Sequence, residues 1–187
     1  MRESGKKAGA VICHPHPLYG GSMDNNVVDA IEKGFSAKSF TTLRFNFRGV
    51  EMSGGDYDEG EGEVKDAVAA LAFLRQHLDK DCNVVLAGYS FGAWVASRAA
   101  TRFDDAGALF LVAYPFAFYA VDELMRFNRR VYLVGGEYDD ISPVDNLKKL
   151  YKELSSPEKA LKIIPTDHFY RGKEEEIVEF IKKQIAL

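Results

Sequence analysis

Val84-Val85-Leu86-Ala87-Gly88-Tyr89-Ser90-Phe91-Gly92-Ala93-Trp94-Val95-Ala96-Ser97-Arg98-Ala99-Ala100 is the stretch on which the reading of this chain turns. Val84 to Ala87 is a short apolar run of the kind that forms a buried strand. Ala93 to Ala100 is rich in helix formers. Between them, Gly88-Tyr89-Ser90-Phe91-Gly92 fits the G-x-S-x-G pattern, in which a serine sits on a sharp strand-to-helix turn with its hydroxyl presented outward. The glycines let strand and helix pack closely, and a helix N-terminus favours negative charge developing beside it. The pattern alone occurs by chance in many chains. The strand before it and the helix after it make Ser90 a candidate nucleophile rather than a simple helix cap.

Outward from this turn, apolar β-branched runs bounded by turn residues alternate with segments of helical period. Strands are expected over residues 8–13, 41–46, 83–87, 108–113, 131–134 and 161–164. The clearest helix spans 62–78, where Val64, Ala67, Val68, Leu71, Leu74 and Leu78 form one apolar stripe. Others begin near Asp24, Ser90, Val121, Val144 and Lys173. This alternation predicts an α/β fold with a mostly parallel sheet of about six strands, helices on both faces and chemistry outside the carboxyl ends of the strands. Trp94 is expected to pack against a neighbouring helix. The aperiodic stretch 48–63, rich in Gly and acids, reads as a surface loop braced by an Arg48–Glu63 pair.

A chain of 187 residues, 47% hydrophobic and 28% charged, fits one folded domain over 1–187. A net charge of -4 with scattered basic groups, such as Lys6-Lys7, Arg129-Arg130 and Lys182-Lys183, argues against a nucleic-acid partner. The apolar run behind the N-terminus is broken at His14-Pro15-His16-Pro17, too early for a signal or membrane span. No membrane partner is expected, and a cytoplasmic location follows by default. Cys13 and Cys82 are too few for a disulfide framework and read as free thiols.

An activated serine needs a base within hydrogen-bond reach and a group to orient that base. Of the four histidines, His77 falls in a helical stretch and reads as surface. His168 lies just beyond the last expected strand, at the edge where the sheet presents its site, and is the best base. The orienting acid falls in Gly135-Gly136-Glu137-Tyr138-Asp139-Asp140, again past a strand end, with Asp139 and Asp140 not separable on composition. An oxyanion hole needs main-chain N–H groups, one from Phe91 after the serine and one from the loop His14-Pro15-His16-Pro17-Leu18-Tyr19-Gly20-Gly21. Pro15 and Pro17 have none to give, leaving His16, with Leu18 as the fallback. The aromatic set Tyr114, Phe116, Phe118 and Tyr119 either walls a pocket or packs in the core, and Leu18, Tyr19, Tyr114, Phe116 and Phe169 are the candidate pocket residues. A metal site on His14 and His16 lacks further ligands.

These residues, taken in order, resemble a bacterial group of small α/β-hydrolases related to dienelactone hydrolases. The likeness rests on His14-Pro15-His16-Pro17 with Gly20-Gly21 and Asn25-Asn26, on Phe45-Asn46-Phe47-Arg48-Gly49-Val50, on the Ser90 turn, on Gly136-Glu137-Tyr138-Asp139 with Pro143, and on Asp167-His168-Phe169. It spans nearly the whole chain. The resemblance implies the α/β-hydrolase fold and, through the family's G-x-x-D-x-x-x-P spacing, assigns the acid to Asp139. The chain departs from the family at Glu51 and Met52, where a glycine is usual; only a few residues stand ahead of the His-Pro-His-Pro strand, where the fold normally has a hairpin, so either a trimmed six-stranded sheet or a start placed too late is expected. No long insertion separates Ala113 from Val131, so an open site without a large lid is expected.

The expected chemistry is hydrolysis of a carboxylic ester, thioester or lactone through an acyl-enzyme on Ser90, needing no metal or organic cofactor. The partner is then a small ester-type molecule. A serine peptidase of the same fold and a non-catalytic binding protein are the alternatives. A fluorophosphonate label separates the last from the others, because only an activated serine reacts.

Overall fold

Strand alternation divides the core in two, as β3 shows most clearly. In the computed structural model, which describes residues 1–2, 7–103 and 106–185, Val84 and Leu86 face one apolar cluster while Val85, Ala87 and Tyr89 face the other. Lys6 lies outside the described residues. A strand buried on both faces needs a near-continuous apolar run, which is what the sequence supplies.

The strands are β1 (Ala8–Cys13), β2 (Thr41–Arg44), β3 (Asn83–Tyr89), β4 (Ala108–Val112), β5 (Arg130–Gly136) and β6 (Lys159–Ile164). They form one parallel sheet in the order β2-β1-β3-β4-β5-β6. Arg2 adds a single antiparallel bridge to Thr42 on the β2 edge. Helices α1 (Asn26–Ala37) and α6 (Glu174–Gln184) cover one face through residues such as Ile31, Phe35, Ile177 and Ile181. On the other face lie α2 (Glu61–Arg75), α3 (Phe91–Arg102), α4 (Asp122–Arg126) and α5 (Val144–Glu153), represented by Val64, Leu71, Ala96, Leu124 and Leu147.

Four strands and α2 end one to three residues from expectation, and for β2, β3 and α2 the local reason is visible. β2 stops at Arg44, short of Asn46, because the Asn46 side chain and the Phe47 amide are engaged elsewhere: Met23 N–H donates to Asn46 Oδ1 at 2.7 Å and Phe47 N–H to His14 Nε2 at 3.0 Å. β3 runs on to Tyr89, paired with Val112. α2 ends at Arg75, because Gln76, His77 and Leu78 donate three residues back, to Phe73, Leu74 and Arg75, in a tighter turn.

The sheet order reverses direction between β1 and β3. The loops leaving their carboxyl ends therefore diverge and leave a crevice. Cys13 is in register with Gly88, which sets the loop starting at His14 directly beside the turn at Ser90.

Candidate active site

The Ser90 turn is steric in origin. Ser90 itself has φ 54 and ψ -122, a conformation that costs an L-residue on the order of 1–3 kcal/mol and persists only where its surroundings impose it. Those surroundings are glycines: a Cβ on Gly88 would overlap the Gly92 carbonyl, and one on Gly92 would overlap the Cys13 carbonyl. β1, β3 and α3 can thus meet at van der Waals distance only with this sequence. Ser90 N–H donates to Val112 O at 2.9 Å, which fixes the turn against β4 and leaves the hydroxyl aimed outward.

That hydroxyl meets His168. Ser90 Oγ lies 2.9 Å from His168 Nε2, and His168 Nδ1 donates to Asp139 Oδ2 at 2.8 Å. Asp139 stands past the end of β5 with its side chain fully buried. Its other oxygen, Oδ1, accepts from Ile141 N–H at 2.9 Å and Ser142 N–H at 2.8 Å, a local turn that Asx residues favour and that α5 continues. Asp140 is exposed. The geometry therefore separates two carboxylates that composition could not.

His168 is held from two sides. The Tyr89 hydroxyl donates to its carbonyl at 2.7 Å, and Asn26 Nδ2 donates to the next carbonyl, of Phe169, at 3.0 Å. Asn25, meanwhile, caps α1 by accepting from Val27 N–H at 2.9 Å. The Asn25-Asn26 pair thus starts a helix and ties it to the loop that carries the imidazole.

The loop after β1 is folded around its own histidines. His14 is completely buried; its Nε2 accepts from Phe47 N–H, so Nδ1 carries the proton and donates to Pro15 O at 2.6 Å. Burial pushes this imidazole down to about 4. His16 accepts Leu18 N–H at Nδ1 over 3.2 Å and faces the Tyr57 hydroxyl with Nε2, also at 3.2 Å. Both rings are committed to the protein, and no cluster of three or more potential metal ligands exists among the described residues. The Leu18 amide, the fallback oxyanion donor, is used by His16 and drops out. The His16 and Phe91 amides have no partner within the protein among the described residues, and their side chains touch, with ring centroids 4.7 Å apart.

A cavity of about 620 Å³ opens over Ser90. Its floor is Tyr89, Ser90 and Phe91; one bank is Pro15, His16, Tyr19, Gly20 and Gly21 of the loop after β1 with Asn25, the other Pro115, Phe118 and Tyr119, and Ile141, His168 and Phe169 close the end. Of the expected pocket residues, Tyr19 and Phe169 line it and Leu18, Tyr114 and Phe116 do not. Leu18 points to solvent from the single 3₁₀ turn Pro17–Tyr19, 66% exposed. Tyr114 is core, its hydroxyl donating to Ala120 O at 2.6 Å, and Phe116 packs on it. The chain past β4 curls, with Phe118 and Tyr119 both donating to Pro115 O, so the strand alternation that would bring Tyr114 and Phe116 forward ends there and the next two aromatics take the place.

One further expectation needs correction. Arg48 does not pair with Glu63. Its guanidinium takes both oxygens of Asp66, at 3.0 and 2.8 Å, while Glu63 is buried and accepts the amides of Asp58 and Gly60 at the start of α2. A carboxylate at the third position of a helix satisfies amides that have no carbonyl to meet, which a sequence reader can anticipate. Trp94 stacks on Tyr119, centroids 4.1 Å apart, and abuts Gly60, which caps the start of the neighbouring helix α2. Tyr57, which contacts His16 from the loop before α2, had no periodicity to signal it.

This combination, a parallel α/β sheet with a serine on a strained strand-to-helix turn against a histidine and a buried aspartate, defines an α/β-hydrolase fold. The chain belongs to the alpha/beta hydrolase domain family, whose model matches residues 10–181. It is similar to an alpha-beta serine hydrolase homologue from Coxiella burnetii, at 33% identity and a TM-score of 0.90, covering 100% of this chain and 89% of that one. It is similar also to a serine hydrolase without lid, XC6422 from Xanthomonas campestris, at 27% identity and a TM-score of 0.84 over 96% and 81% of the two chains. A protein of Rickettsia prowazekii, RP471, is 36% identical over 185 residues, 92% of this chain and 76% of the relative. Among the described residues no helix is long and apolar enough to cross a membrane.

Proposed function

We propose that this chain hydrolyses a carboxylic ester, or a thioester or lactone, through an acyl-enzyme on Ser90. The observation that carries the reading is the unbroken hydrogen-bonded series Ser90 Oγ, His168 Nε2, His168 Nδ1, Asp139 Oδ2 at the floor of an open cavity. Ser90 Oγ attacks the carbonyl carbon while His168 Nε2 takes its proton; Asp139 accepts from Nδ1 and keeps the lone pair of Nε2 facing the serine. The tetrahedral oxyanion is met by the Phe91 and His16 amides, which have no other partner among the described residues. His168 then protonates the leaving group, and water deacylates Ser90 by the same route in reverse.

Among the described residues, no Lys, Arg, Asp or Glu lines the cavity. A charged peptide terminus would be desolvated there without a counter-ion, so the geometry favours a neutral acyl and alcohol over a peptide. A fluorophosphonate tests the reading: it should label the chain, and Ser90→Ala should abolish labelling and lower ester turnover by at least about 10⁴-fold. Tm should stay within about 2 °C, since the hydroxyl adds nothing to the core. Labelling that survives the substitution would put the nucleophile elsewhere.

A further inference from the structure

Tyr57 reaches the edge of the site from the aperiodic loop between β2 and α2, without lining the cavity. Its ring lies 5.0 Å from that of His16 and 6.0 Å from that of Phe91, the two residues whose amides are free. Because His16 Nδ1 accepts from Leu18 N–H, Nε2 carries the proton and donates to the Tyr57 oxygen. The ring is further wedged between Tyr19 and Phe91, at 4.8 and 4.7 Å. The main chain around it is equally tied: Tyr19 N–H and Gly21 N–H both donate to His16 O at 3.1 Å. Tyr57 is itself fixed, since Glu63 accepts the next amide, that of Asp58, at 3.0 Å. Burial raises the Tyr57 phenol above its ordinary range and holds the His16 imidazole below its own, so both partners are neutral near pH 7 and the bond between them is of one kind.

We propose that Tyr57 is a positioning residue for the reaction: by accepting from His16 Nε2 it holds the turn after β1 so that the His16 amide faces the oxyanion formed at Ser90. It acts through His16 and does not touch the substrate. The inference rests on the hydrolase reading given above. Its consequence is that loss of the Tyr57 oxygen, which Tyr119 also meets, weakens transition-state binding and leaves ground-state binding nearly unchanged, since no side chain lining the cavity is removed.

The test compares the unaltered chain with Tyr57→Phe, which keeps the ring, and with Tyr57→Leu, which serves if the first does not fold. Saturation kinetics of fluorophosphonate inactivation give a maximal rate and a half-saturating concentration separately. In Tyr57→Phe the maximal rate should fall by about tenfold, less than the 10²–10³ of deleting an oxyanion donor outright, because the donor is loosened and not removed. The half-saturating concentration should stay within about twofold, and a trifluoromethyl ketone, which forms an oxyanion on the serine, should bind weaker by the same factor as the rate. A purely structural role would move Tm and half-saturation instead. Unchanged rate and ketone affinity in either folded variant, or a loss seen only in half-saturation, overturns the role of Tyr57 while leaving the hydrolase reading intact. An unaltered chain that takes no label at all overturns both.

Discussion

The turn that carries Ser90 and the loop that carries Tyr57 lie against one another, ring to ring through Phe91 and His16, yet they are held by different forces. The Ser90 turn is a matter of exclusion. Gly88 and Gly92 leave no space for a Cβ, against Gly92 itself and against the Cys13 carbonyl of β1, so two glycines flanking Ser90 in the sequence make the conformation possible. The Tyr57 loop is a matter of satisfaction. Arg48 on Asp66 and His14 on the Phe47 amide each join residues that no local rule connects. A motif is readable when adjacent residues enforce it, and a loop held by side chains from other elements is readable only once the fold is known.

The largest effect that sharpens this contrast concerns the acid. Asp139→Asn keeps an oxygen for the Ile141 and Ser142 amides but turns an NH₂ toward His168 Nδ1, forcing the proton to Nε2, where it faces Ser90. We expect kcat to fall by about 10³- to 10⁴-fold with little change in Tm, against less than about threefold for Asp140→Asn. Equal effects would mean that the buried carboxylate is structural.

A smaller effect comes from His14, which joins the two regions. Its imidazole titrates at about 4 in the folded protein against 6.5 when free. Above pH 6.5 it is neutral in both states. Between there and about pH 4 the unfolded chain takes up a proton that the folded chain does not, so stability is lost as the pH falls; below that window both are charged and the loss stops. The full span is worth about 3 kcal/mol. Urea unfolding of the unaltered chain and of His14→Gln, whose amide can still accept from Phe47 but does not titrate, should diverge through this window. Parallel profiles would show that His14 takes up its proton in the fold as readily as in the unfolded chain.

Much of the architecture was legible. The strand over 8–13 has its expected bounds, and Ser90, Asp139 and His168 lie on loops past β3, β5 and β6, where sheet geometry puts chemistry. The misreadings fall where periodicity stops. Tyr114 and Phe116 were candidate pocket residues, with core packing as the alternative, because they follow the fourth strand, in a segment that curls on Pro115; Arg48 was given to Glu63 although Asp66, one helical turn further along α2, offers both oxygens. The departure at Glu51 shows the same limit. Glu51 takes φ 50, a glycine-like conformation, and its carboxylate accepts from Asn46 Nδ2 at 2.7 Å, a tie no spacing rule announces.

The smallest predicted effect tests whether the Tyr57 loop is an independent unit. Arg48 is partly exposed, 27% at the side chain, and its fork meets Asp66 bidentately while its own amide also donates to Asp66 Oδ2 at 3.0 Å. Solvent screening discounts such a pair, but bidentate geometry with a third bond restores some of its worth. Arg48→Met keeps the aliphatic stem and removes the fork, which should cost about 1–2 kcal/mol and lower Tm by about 3–6 °C. The deficit should shrink in 1 M NaCl (roughly a 3 Å Debye length), since salt weakens the lost attraction in the reference protein. Because Asp58, Glu63 and the helix start still hold Tyr57, the maximal rate of inactivation should drop by no more than about threefold, less than in Tyr57→Phe. A drop as large as that of Asp139→Asn would show that the loop and the Ser90 turn are one cooperative structure, and the distinction between exclusion and satisfaction would fail at the site where it matters.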